Sequence, residues 1–286
     1  GREYARGRVA ELEAALAGCD VRPDEADAPG RTVVLPERVA RAAMRGDARS
    51  VLRWVGPAPD PSCQCGRNCR ERHRSRLDAR AGPDMMGVTL LHCAAANGRG
   101  GLCAALLQGG ADPDARDAAG LTPLGVRSIM DGADVPPDGG GPGGGGGEEE
   151  DAVSVLLAWG AAVGDRPRLA SEARGYGNVR LADLVSSELG GRRCLILPRP
   201  DGDGGGYGRL AGRTCVAGRF DPAADAYRVR LEHTGDRADV PSRLLTRRDR
   251  TPPDPGDAWY VPDGRGGRAR RVAFRSADEA RAYLSS

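Results

Sequence analysis

Apolar residues recur at helical spacing up to about residue 190 and at strand spacing beyond it. In "LPERVARAAMRGDARSVLRWVG" (35–56), "LLHCAAANGRGGLCAALLQGG" (90–110) and "DAVSVLLAWGAAV" (151–163) they return every three or four positions, which predicts short amphipathic helices. A further helix is predicted over 179–189, "VRLADLVSSEL". After Gly190 the period drops to two. In "YRVRLE", Tyr227, Val229 and Leu231 fall on one face while Arg228 and Arg230 fall on the other, the mark of a half-buried antiparallel strand. "RRCLILP", "RLAGRTCVAGRF" and "DRADVPSRLL" read as further short strands punctuated by turns.

The helical part repeats. Gly87, Thr89 and Leu91 recur 33 residues later as Gly120, Thr122 and Leu124. Upstream, Ala42, Ala43 and Gly46 match Ala94, Ala95 and Gly98, and Trp54-Val55 match Leu106-Leu107. Downstream, Leu156-Leu157 and Gly160 match Leu106-Leu107 and Gly110. Thr89 and Thr122 are placed to cap a first helix, and Pro123 sits in a first turn where its missing N–H costs nothing. Gly110 and Gly160 are placed to close second helices in the left-handed conformation.

These motifs resemble the ankyrin repeat, whose pattern runs G-x-T-P-L-H-x-A-A-x-x-G and then L-L-x-x-G-A-D. The resemblance implies a solenoid of about three units over 34–190, in which each unit buries its apolar side only by stacking on the next. Insertions fall at 57–86 and 132–150, the second rich in glycine, and Gly125 stands where the family has histidine. The helix over 179–189 is expected to cover the open end, and residues 1–33 to form an N-terminal helix and linker.

The order L-x-G-R-x-x-V-x-x-F-D, a turn, Y-x-V-x-L and V-P-x-x-L-L over 191–250 resembles SH3-like modules that follow ankyrin repeats in some algal and protist proteins. It implies a small antiparallel barrel, hence an α+β multidomain chain. Some members of that group carry a zinc-binding MYND finger, but its paired C-x-x-C spacing is absent here. In the tail, 251–286, a hairpin is predicted around "DGRGG", then a helix with Ser276 and Glu279 as its capping box.

Composition narrows the function classes. The chain has no lysine, which excludes a phosphate loop of the G-x-x-x-x-G-K-[ST] type, a pyridoxal Schiff base and a kinase ATP lysine. No H-E-x-x-H, G-x-S-x-G or catalytic triad is legible, so the chain is read as no enzyme. A non-catalytic targeting part of a larger enzyme stays open. The 42 arginines face 40 acidic residues for a net charge of +2, so no global field favours a polyanion. Local clusters, "RNCRERHRSR", "RLLTRRDR" and "GRGGRARR", keep nucleic-acid binding as an alternative, against the plainer reading of a solvated face. No apolar run is long enough for a membrane span. The N-terminus is amphipathic and lacks an initiating Met, which reads as an excised segment rather than a signal peptide. Eight cysteines without a secretory signal then read as reduced thiols in the cytoplasm or nucleus.

Two chemical sites are candidates. Cys63, Cys65, Cys69 and His73 offer four ligands of the types zinc takes within eleven residues, at a spacing unlike the usual fingers, with an oxidisable loop as the alternative. Otherwise no cofactor is expected. Tyr207, Trp259 and Tyr260 are the aromatics left for a methyl-ammonium cage once Phe220 and Tyr227 are assigned to a core. The ankyrin resemblance implies a protein partner held by the tips and inner helices of the array. The residues it nominates are Met85, Met86, Val88, Asp114, Arg116, Asp117, Ala119 and Leu121.

Overall fold

The computed structural model describes residues 33–56, 74–130, 151–198, 210–232 and 235–251, together with the backbone of 258–262 and 269–273. The chain divides into two units, 1–33 and 34–286. The expected N-terminal helix, the cysteine-rich insertion, the glycine run and the C-terminal helix lie outside the described residues.

Among the described residues are four helix pairs: α1 Glu37–Arg45 with α2 Ala48–Val55, α3 Leu90–Ala96 with α4 Gly100–Gln108, α5 Pro123–Ile129 with α6 Ala152–Ala158, and α7 Arg166–Gly175 with α8 Val179–Val185. Capping side chains set most of the starts. Asp47, Thr89, Thr122, Asp151, Asp165 and Asn178 each accept a backbone N–H three residues on, satisfying a donor the helix itself leaves free. Gly110 and Gly160 take positive φ at their unit ends, as the repeat frame predicts. The first helices α1, α3, α5 and α7 stack in one row, and α4 lies on α6 in a second. Leu106, Leu107, Leu156 and Leu157 are fully buried.

The fourth pair differs from the sequence expectation of one covering helix. In α7, "RPRLASEARG", only Ala170 and Ala173 are buried. With two buried alanines, α7 has an apolar signal below what periodicity detects, while α8 is the expected helix.

The β part is a five-stranded antiparallel sheet of order β4-β3-β2-β1-β5: β1 Arg193–Ile196, β2 Thr214–Asp221, β3 Ala226–Leu231, β4 Arg237–Pro241 and β5 Leu245–Arg247. The alternation seen in the sequence is the observed one, with Tyr227, Val229 and Leu231 in the core beside Cys194, Ile196, Cys215, Ala217 and Val240. The sheet is open. Among the described residues no ladder joins β4 to β5, which are separated only by a 3-10 turn over Ser242–Leu244. Both edges are blunted: Pro241 has no N–H, and the Leu245 N–H turns back to the Ser242 carbonyl. A separate hairpin of β6 Ala258–Pro262 and β7 Ala269–Ala273 brackets the "DGRGG" segment, as expected.

The two parts meet at a built junction. Arg192 is buried and its guanidinium donates to the Leu157 carbonyl at 3.1 Å, while the Arg250 N–H donates to the Ala158 carbonyl at 2.9 Å. Gly190 and Gly191 are required there. A Cβ on Gly190 would lie 2.0 Å from the Leu184 carbonyl oxygen, and one on Gly191, at φ 74°, 2.3 Å from Leu157 Cδ1. Among the described residues no helix is long and apolar enough to cross a membrane.

Candidate functional site

The loops between helix pairs line up along one edge and are tied to one another by the backbone. Val34 bridges Arg80 in parallel, and the Leu35 N–H donates to the Arg80 carbonyl at 2.9 Å. The Ala81 N–H donates to the Val88 carbonyl at 2.9 Å, and the Ala118 N–H to the Met86 carbonyl at 2.8 Å. The Arg80 guanidinium bridges the Gly87 and Arg116 carbonyls, joining two successive tips.

Within the second tip, Asp117 Oδ1 accepts from the Ala119 and Leu121 N–H groups, each at 2.9 Å. Asp114 Oδ1 accepts from the Ala162 N–H at 2.7 Å, reaching the next loop. Below the tips, His92 Nε2 lies 3.0 Å from the Leu121 carbonyl, while Nδ1 lies 3.2 Å from the Thr89 N–H and 2.9 Å from Thr89 Oγ1. A carbonyl only accepts, so Nε2 carries the proton and Nδ1 receives the Thr89 N–H. Burial lowers the His92 pKa below its ordinary value, which keeps the ring neutral.

The nominated residues divide by what they touch. Asp114 and Asp117 are pins of the loop backbone. Met85, Val88 and Leu121 are half-buried under the edge. Met86, Arg116 and Ala119 are exposed, Met86 by 53% and at φ 55°. A left-handed conformation is unfavourable for a side chain of this kind and concentrates at ligand-contacting positions. Val34, 60% exposed, and Arg80 belong to the same edge. Neither was legible in the sequence, because Arg80 lies in an insertion with no repeat frame and Val34 has no partner until the loops are stacked.

The inner helices α3 and α5 contribute little surface. Every residue of α3 except Ala96 is buried, and in α5 only Gly125 and Ile129 are partly open. The second helices are covered too: the β6–β7 hairpin lies along α4, β6 also meets α2, and β2 meets α8. All nine residues of α4, "GGLCAALLQ", are buried, as a helix apolar all round requires.

Of the cluster "RLLTRRDR", Arg247 and Arg250 are spent on ion pairs within the fold, and so are Arg193 and Arg228 outside the clusters. Glu232, buried, is paired with Arg193 at 2.8 Å and with Arg250. Arg247 is paired with Asp249 at 2.5 Å, and Arg228 with Asp239 at 2.6 Å. Burial alone would raise the Glu232 pKa, but Arg250 and Arg193 outweigh it and hold the carboxyl well below the usual range. Phe220 and Tyr227 pack with ring centroids 4.8 Å apart at the core, as assigned from sequence. Cys63, Cys65, Cys69, His73 and Tyr207 lie outside the described residues, and only the backbone is described at Trp259 and Tyr260.

Stacked helix pairs with loops tied edge to edge define a helical-repeat protein. Residues 86–118 match the family model of the ankyrin repeat, which spans the tip at Met86, α3, α4 and the loop to Ala118. Residues 86–118 are thus similar to one ankyrin repeat, a unit that serves protein–protein interaction in general. No curated protein matches the chain.

Proposed function

We propose that residues 34–190 form an ankyrin-type array that binds a protein partner along its tip edge, and that the chain is a non-catalytic scaffold or adaptor. The open sheet is read as an SH3-like module acting as a buttress at the junction. The observation that carries the reading is the edge itself: loops pinned to one another, with Met86 and Val34 presented among Arg80, Arg116 and Ala119. Pre-organised loops lose little entropy on binding, so an exposed apolar side chain there contributes nearly its full burial. With α3, α4 and α5 largely covered, contact through the inner helices of the central units is secondary. The four free cysteines of the described residues fit an intracellular compartment.

The test is a pull-down with the full chain from a native lysate, with and without nuclease, set beside the variant Met86→Asp/Arg116→Glu. Asp117 is left intact because its carboxylate holds the loop. A partner that survives nuclease and is lost at least about tenfold with the variant, at unchanged circular dichroism, supports the edge; about tenfold corresponds to about 1.4 kcal/mol. Undiminished capture by the variant sinks it. Co-purified material with a high 260/280 nm ratio that collapses on nuclease treatment would assign the arginine clusters to nucleic acid instead.

A further inference from the structure

In the sheet core, Cys194 on β1 and Cys215 on β2 are direct register partners, both fully buried and both free thiols. Two residues away on either side, the Ala217 N–H donates to the Arg192 carbonyl at 2.9 Å and the Ile196 N–H to the Arg213 carbonyl at 3.0 Å. Ladder bonds in an antiparallel pair recur every second residue, so Cys194 and Cys215 occupy a hydrogen-bonded pair site. At such a site the Cα atoms stand about 5.5 Å apart, inside the range a disulfide spans. The Cβ atoms stand toward about 5.5 Å, whereas a disulfide draws them to about 3.8 Å. The bond is therefore reachable only with local strain, and strained disulfides are the readily reduced ones.

We propose that Cys194 and Cys215 form a reversible cross-strand disulfide in response to a two-electron thiol oxidant. Both S–H bonds break and one S–S bond forms; the two electrons and two protons pass to the oxidant, a diazene that leaves as its hydrazine. Burial pushes both thiols up to about 12, so the reaction is slow and waits on opening of the strand pair. The placement gives the bond consequence. β1 follows directly on Gly191 and Arg192, whose contacts with Ala217 and Leu157 join the sheet to the helices.

The experiment treats the native full chain with diamide, quenches in acid, alkylates the remaining thiols under denaturing conditions and maps tryptic peptides. The expected product is the peptide beginning at Cys194 joined to Thr214–Arg219, two hydrogens lighter than the separate peptides and released by dithiothreitol without denaturant. In Cys215→Ser, Cys194 should instead be recovered alkylated; if that variant does not fold, Cys194→Ala with Cys215 followed serves the same purpose. Recovery of both cysteines as free thiols after other cysteines of the chain have oxidised would overturn the proposal. So would linkage of either to a different cysteine, or a bond that resists dithiothreitol in the folded chain.

Discussion

His92 shows how one neutral ring sets the register between two tips. Its Nδ1 accepts from the Thr89 N–H, so a second proton there would face a donor. Because the folded pKa is lowered, the unfolded chain binds the proton more readily. The stability His92 contributes is then complete above the unfolded value of about 6.5 and is lost as pH falls below it. Urea midpoints at pH 7.5 and 5.5 should fall toward the acid side, and His92→Gln should flatten that dependence while lowering stability by about 1–3 kcal/mol at pH 7.5. Glu232 is shifted in the same direction, by its two arginine partners rather than by burial. Its contribution is present above the unfolded carboxylate value and is lost as pH drops below it, the direction expected for a depressed acid. Replacing it with Gln strands Arg193 and Arg250 in a buried setting and should cost about 3–5 kcal/mol by guanidinium denaturation.

At the scale of elements, caps and glycines were legible while neighbours were not. Thr89, Thr122 and Pro123 were read correctly from their place in the repeat because capping and first-turn geometry are local. The short β5 and α7 were not, since three residues carry no periodicity and α7 buries only two alanines, whereas α8 falls within the helix expected over 179–189. Gly191 is an element-scale test. Gly191→Ala puts a methyl group against Leu157 at a left-handed position and should lower the thermal midpoint, with about 1–2 kcal/mol from the backbone and about 1–3 kcal/mol from the overlap. Gly212→Ala, at φ 78° with no atom within 4 Å of an added Cβ, should show the backbone part alone. Equal losses in the two variants would mean that the junction does not need the close approach.

For the whole molecule beyond Val34, the helices and the sheet share buried polar contacts rather than a loose tether. Arg192 reaches Leu157 and the Arg250 N–H reaches Ala158, so neither part completes its hydrogen bonding alone. The native chain should therefore melt in one transition by calorimetry and by near-ultraviolet circular dichroism. Arg192→Ala should separate that transition into two or broaden it, because the Leu157 carbonyl loses its donor and the junction its filling. Two well-separated transitions in the unaltered chain would refute the coupling.

What the sequence determined by itself was what repeats and what is local: the 33-residue frame, the capping threonines, the left-handed glycines, the period-two strands and the leucines of the array. Each is set by a side chain acting on its own backbone or by burial along one face, and both leave a period in the letters. Tertiary structure alone decided which surface remains. The loops become an edge only when Arg80 spans two of them and Ala118 meets Met86; α4 is buried all round only because a hairpin from the tail lies on it. In the run "RLLTRRDR", Arg250 and Arg247 became ion-pair partners of Glu232 and Asp249. Contacts between residues far apart in the chain have no spacing to reveal them, and it is those contacts that separate a pin such as Asp117 from an exposed side chain such as Met86.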